Sequence, residues 1–202
     1  MLLYVMRHGE TKWNHLGKIQ GMADIPLDQA GIDLAVATGK ALKEGPFDLC
    51  FSSPLLRARQ TAEAVLAGRD VPVILDARIQ EINFGVLEGM VCRNEEGRLT
   101  SPEFRTLFEH PCQYQRPENG ENILDVLKRT ADFWEEKTKD PALADKTVLI
   151  SSHGCAVRGL LQNIWHDSDN FWHGCVPPNC GITLVEVKNG YARILEQDKV
   201  FA

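Results

Sequence analysis

Two apolar runs of this chain end in the same way. The segment LLYVM (2–6) passes directly into Arg7, His8 and Gly9, and TVLISS (147–152) passes into His153 and Gly154. Runs this short and continuous suit strands buried on both faces, and such strands belong to parallel sheets covered by helices. Further runs near 48–52, 71–76, 182–187 and 191–197 read as strands. Helical patterns fall between them at 28–43, 54–67, 121–138 and 154–165, with a weaker one at 102–109. Within 121–138, Ile123, Leu124, Leu127, Ala131 and Trp134 recur at three and four residues, so one face packs on the sheet. Asn189-Gly190 between two alternating runs predicts a two-residue hairpin, which brings antiparallel pairing to one edge. The expected fold class is therefore α/β with a mostly parallel central sheet.

At 202 residues, 44% hydrophobic and 25% charged, the chain suits one globular domain spanning 1–202. The segment 85–120, rich in glycine, proline and charge, reads as a covering insertion between two well-patterned halves. The net charge is −6 and the basic residues are dispersed among acids, which argues against nucleic-acid and anionic-membrane partners. Any bound anion must then meet a local basic cluster. The six cysteines form no C-x-x-C pair and read as free thiols in a reducing compartment. A zinc site from Cys175, Cys180 and His173 matches no common ligand spacing. No run approaches about 18 apolar residues, and no basic segment precedes the apolar start. The expectation is a cytoplasmic protein, monomeric or homodimeric.

If the sheet is parallel, ligands bind beyond the carboxyl ends of its strands, where His8 and His153 would meet. A third strand end joins them in DLCFSSPLLRARQTA (48–62), which reads as strand, Ser53 at a helix N-cap and Pro54 at the first helical position. A helix start there offers free N–H groups to an anion, and Arg57 can turn its guanidinium to the same point. Arg7, Arg57 and His153 are then donors around a phosphoryl group, and a neutral His8 is a nucleophile able to attack it. The two arginines should push the His8 pKa below its ordinary value, and its attacking nitrogen should be the one whose partner N–H is tied to a backbone carbonyl. Glu81, just past the strand at 71–76, suits the acid that protonates a leaving oxygen and later activates water, with Phe84 desolvating it. Glu88, farther into the glycine-rich loop, is the less suitable carboxylate.

RHGETKWN (7–14), SSPLLRARQTA (52–62), Glu81 and SHG (152–154) resemble, in order and approximate spacing, the histidine phosphatase superfamily, also called phosphoglycerate mutase-like. The resemblance spans essentially the whole chain and includes GKIQGMADIPLDQAGIDLA and PPNCGITLVEV. It implies a three-layer α/β/α sandwich, a phosphohistidine on His8, and no metal or organic cofactor. It assigns Arg7, Arg57 and His153 to the phosphate pocket and Glu81 to proton transfer. It also implies that Asn14 donates its amide to the phosphate, that Gln20 and Gly21 line the substrate side, and that Gly154 lets its backbone approach the anion. Where the family often has Gly-Glu-Ser, this chain has Gly120-Glu121-Asn122, and asparagine serves equally near a helix start.

The segment between Glu81 and Gly120 is short beside that of the glycolytic mutases and lacks their paired arginines. A shorter cover admits water, so the expected activity is hydrolysis of a small phosphorylated metabolite. A cofactor-dependent phosphoglycerate mutase is the enzymatic alternative, and a non-catalytic module that grips phosphorylated ligands is the alternative of another class. Arg93, Arg98, Arg105 and Arg116 read as solvent-facing, Arg158 as structural, and the tryptophans of 163–178 as core or assembly contacts before substrate contacts.

Overall fold

The computed structural model describes residues 1–201 apart from Glu44 and Pro46. Six strands form one sheet: β1 (Leu2–Arg7), β2 (Leu49–Ser52), β3 (Val73–Leu75), β4 (Thr147–Ser152), β5 (Ile182–Lys188) and β6 (Tyr191–Lys199), in the order β3-β2-β4-β1-β5-β6. The pairs β3–β2, β2–β4 and β4–β1 are parallel, and β1–β5 and β5–β6 are antiparallel. The hairpin turns at Asn189 and Gly190, both at positive φ, as a two-residue turn requires.

Alternation along each buried strand feeds two cores. Leu3, Val5, Phe51, Val148 and Ile150 face one side, where they meet Phe133 and Trp134 of α5 (Ile123–Lys139) and Val157, Leu160 and Leu161 of α6 (Gly154–Trp165). Met6, Cys50 and Leu149 face the other, against Ala35 of α2 (Gln29–Ala41) and Ala62 and Val65 of α3 (Leu56–Val65). Two helical layers thus enclose the sheet, as expected. A helical turn absent from the sequence reading, α1 (Lys12–His15), follows the first His-Gly, and α4 (Pro102–Glu109) lies within 85–120.

Three boundaries differ from expectation. The strand read at 71–76 shrinks to three residues because Pro72 has no N–H to give and Asp76 turns outward to cap the next turn, accepting Arg78 N–H. The helix read from 54 begins at Leu56, since Leu55 stays extended and Ser53 does not cap it. Asn122 does cap α5, closing a reciprocal pair with Asp125.

The order β2-β4-β1 brings three strand ends side by side, with Ser52 opposite Ser151 and Ser152 opposite Arg7. Residues 7–8, 52–53 and 152–153 therefore leave the sheet at one edge, which is why segments 100 and more positions apart in sequence converge.

Candidate active site

His8 is buried at the end of β1. Its Nδ1–H donates to its neighbour's carbonyl, Gly9 O, at 2.6 Å, and its Nε2 lies 3.3 Å from Nε of Arg57, whose N–H it accepts. The imidazole is thus oriented as the sequence reading required, with Nε2 carrying the lone pair. Its pKa falls well below 6.5, chiefly through burial and only then through Arg57 and Arg7. Enclosure thus outweighs the two arginines, the cause that the sequence suggests. Gly9 is a close-approach residue: a Cβ there would lie 2.7 Å from Gly31 O, on α2. Its N–H donates to Thr61, and Asn179 Nδ2 holds both the His8 and Gly9 carbonyls.

Arg57 is wholly buried and anchors the loop after α1 by donating to Gly21 O at 2.7 Å and Ala23 O at 2.9 Å. Burial pushes its pKa down to about 10, and nearby acids including Glu81 and Asp24 oppose the shift, so the guanidinium stays charged near neutrality. Arg7 donates to Pro177 O, while its Nε is buried with no partner in the protein. Burial lowers the Arg7 pKa as well. His153 is wholly buried, with Nε2 2.7 Å from Ser53 Oγ, Nδ1 unpartnered, and its ring centroid 5.1 Å from that of His8. Burial and Arg57 hold it well below 6.5.

The anion site expected at the start of the helix after β2 is not free. The first helical N–H there, from Leu56, is taken by the carboxylate of Asp24 at 2.6 Å. The start of α6 is taken by Glu81, which accepts Cys155 N–H at 3.0 Å and Ala156 N–H at 3.3 Å. Two acids thus occupy the two helix starts, where the dipole favours them. The donors left around His8 are the side chains of Arg7, Arg57 and Asn14.

Glu81 sits on a turn held by several bonds. Arg129 of α5 donates to the carbonyls of Arg78, Gln80 and Glu81 and to both oxygens of Glu121, whose Oε2 also accepts Asn83 N–H. Ser152 Oγ donates to Ile79 O on the same turn.

Asn14 commits its amide oxygen to Thr11 N–H and Oγ1, which leaves its NH2 as the free end. Gln20 is buried, 3.0 Å from Thr11 Oγ1. Gly21, at φ +55°, has no room for a side chain, because a Cβ would lie 2.2 Å from Glu88 Oε1. That carboxylate holds Met22 N–H and Phe84 N–H together. Glu88, the less suitable carboxylate by sequence, therefore joins the loop at 20–22 to the segment at 84–88.

One cavity of about 240 Å³ gathers Arg7, His8, Asn14, Gln20, Gly21, Arg57, Glu81 and Gly154, the sequence-predicted site residues except His153, which lies beside His8. Its walls are Ile19, Phe84, Leu107, Phe108, Trp172 and Val176. Larger clefts, of about 670, 630 and 400 Å³, hold none of these residues. Two expectations change here. Arg93 is not simply solvent-facing, for it lines the cavity with its guanidinium over Phe108; Trp172 belongs to the core and also to the cavity wall. Arg158, by contrast, is structural as read, buried and paired with Asp198. Among the described residues no group of three or more His, Cys, Asp or Glu is arranged to hold a metal, and no helix is long and apolar enough to cross a membrane.

Comparison with known proteins agrees with this geometry. The family described as histidine phosphatase superfamily (branch 1) matches residues 3–199. A 2,3-bisphosphoglycerate-dependent phosphoglycerate mutase 2 from Gloeobacter violaceus is 33% identical over 171 residues, covering 82% of this chain and 76% of that protein. The corresponding mutase of Neisseria meningitidis is 30% identical over 226 residues, covering 98% and 99%. Among solved structures, Bacillus stearothermophilus YhfR superposes with a TM-score of 0.87 at 31% identity, covering 98% of this chain and 97% of that one. A phosphoserine phosphatase from Entamoeba histolytica does so with 0.80 at 29%, covering 98% and 97%. The chain belongs to the histidine phosphatase superfamily, whose members are phosphatases and mutases that transfer phosphoryl groups.

Proposed function

We propose that this protein is a phosphomonoesterase that hydrolyses a small phosphorylated metabolite through a phosphohistidine on His8. The observation that carries the reading is the state of His8: Nδ1–H tied to Gly9 O, Nε2 unprotonated, and the ring kept neutral by burial. A neutral imidazole with its lone pair in a cationic hollow is a nucleophile suited to phosphorus.

In the first half-reaction the phosphoryl group displaces Arg57 Nε–H from His8 Nε2, and that N–H turns to a phosphoryl oxygen. The Nε2–P bond forms as the ester P–O bond breaks, and the leaving oxygen takes a proton from Glu81. In the second, Glu81 takes a proton from water, whose oxygen attacks phosphorus and breaks the Nε2–P bond. Arg7, Arg57, His153 and the Asn14 amide stabilise the equatorial charge throughout. The apolar walls receive the organic group.

The phosphatase reading is supported by the brevity of the cover and by structural neighbours that include a phosphoserine phosphatase solved with phosphoserine. A second reading, phosphoglycerate mutase, is favoured by the mutase relatives and by Arg93 and Lys18 in the cavity lining, which suit a substrate carboxylate. The Entamoeba phosphatase has also been solved with 3-phosphoglyceric acid.

Phosphate release from a panel of phosphorylated metabolites, with and without chelator and beside His8→Ala, tests the proposal. We expect chelator-insensitive release that His8→Ala abolishes. Isomerisation of 3-phosphoglycerate with little free phosphate would favour the mutase, and binding of esters without turnover would favour a non-catalytic module.

A further inference from the structure

Ser53 is wholly buried just beyond β2, where its N–H pairs with Ser151 O of the adjacent β4. That pairing sets it beside His153, the second residue beyond Ser151. Its hydroxyl accepts Leu55 N–H at 3.3 Å and lies 2.7 Å from Nε2 of His153. A serine hydroxyl has one hydrogen. Leu55 N–H takes one of the oxygen's two lone pairs, and among the described residues His153 Nε2 is the only acceptor within reach of that hydrogen, so it goes to the ring nitrogen.

We infer that Ser53 is a positioning residue that fixes His153 as the Nδ1–H tautomer, so that the nitrogen left unpartnered in the protein is a hydrogen-bond donor before any phosphoryl group arrives. The opposite tautomer would give Nε2–H to Ser53 and leave a bare lone pair at Nδ1, which repels phosphoryl oxygen. Protonation offers no third route near neutrality, because burial, then Arg57 and His8, keep the ring uncharged. The buried, unpartnered Nδ1 is the mark of such a preset donor: leaving it unmatched costs stability, and the cost is recovered when an acceptor binds. The Ser-Pro sequence that reads as a helix cap is thus a serine held back for an imidazole.

The kinetic arm of the test rests on the phosphatase reading; the spectroscopic arm does not. Full-length protein with nitrogen-15 histidine reports each ring's tautomer through its nitrogen shifts, with the His153 signals assigned by their loss in His153→Gln. We expect His153 protonated at Nδ1 in the native protein, and a mixture or the Nε2–H form in Ser53→Ala. That variant should lose about tenfold to a hundredfold in kcat with KM within about twofold, and Ser53→Thr, which keeps the hydroxyl, should recover most of the loss. Nε2–H in the native protein overturns the inference, as does a folded Ser53→Ala with unchanged tautomer and kcat. Should Ser53→Ala fail to fold, the native spectrum alone decides. A native protein that hydrolyses no ester yet shows Nδ1–H defeats the phosphatase reading and leaves the tautomer assignment standing.

Discussion

Arg57 Nε and His8 Nε2 lie 3.3 Å apart, with the guanidinium N–H directed at the ring nitrogen's lone pair. The same guanidinium holds Gly21 O and Ala23 O, so one side chain fixes both the His8 ring and the loop that borders the cavity. Lysine has neither the fork nor the Nε–H. Arg57→Lys should therefore lower kcat/KM by about a hundredfold or more, with a drop in melting temperature that reports the freed loop. Near-native kcat/KM would show that charge alone suffices.

Glu81 is held by backbone N–H groups that a glutamine can also satisfy at one oxygen, so Glu81→Gln should fold. Loss of proton transfer should cost about a hundredfold or more on alkyl phosphates and much less on the first turnover of an aryl phosphate, whose leaving oxygen needs little help. A burst of phenol followed by slow turnover is the expected trace. Equal losses on both ester classes, without a burst, would remove Glu81 from the acid role.

The turn carrying Glu81 depends on Arg129, which donates to three of its carbonyls and to Glu121. Arg129→Met leaves those carbonyls and a carboxylate without their partner. A loss of about 2 kcal/mol or more in denaturant-unfolding stability is expected. Activity should fall with it, even at temperatures where the variant is folded. A stable variant of normal activity would show that the turn holds itself.

His8 and His153 are both neutral in the fold and ordinary when unfolded. Below pH 6.5 the unfolded chain takes up protons that the native site refuses, so stability declines as pH falls toward the native pKa values, by at most about 1.4 kcal/mol per pH unit for each ring. Above that range the two rings contribute no slope. Denaturation midpoints between about pH 7.5 and about pH 5.5 should fall less steeply for His8→Asn than for the native chain. Parallel slopes would mean that His8 titrates normally.

Much of this was readable from residues alone. Apolar runs ending in Arg7-His8 and Ser152-His153 announced parallel strands with chemistry at one edge, because strand burial and strand-end position both leave local marks. What stayed hidden depends on contacts between distant segments. Ser53 before Pro54 has the local form of a cap, and only its neighbour His153, 100 positions away, shows otherwise. Asp24 capping α3, Glu88 bridging the loop at 20–22, and the Arg129–Glu121 pair are likewise long-range choices among many similar charged residues. Arg93 resembled any loop arginine until the cover folded it over Phe108.

Rapid quenching under alkaline conditions during turnover of a phosphate ester, followed by mass spectrometry of the peptide containing His8, tests the central claim most directly. The account predicts an acid-labile phosphoryl group on His8 Nε2, formed at a rate no slower than turnover and absent in His8→Ala. Steady release of phosphate with His8 unmodified, or with the label on another residue, would contradict it.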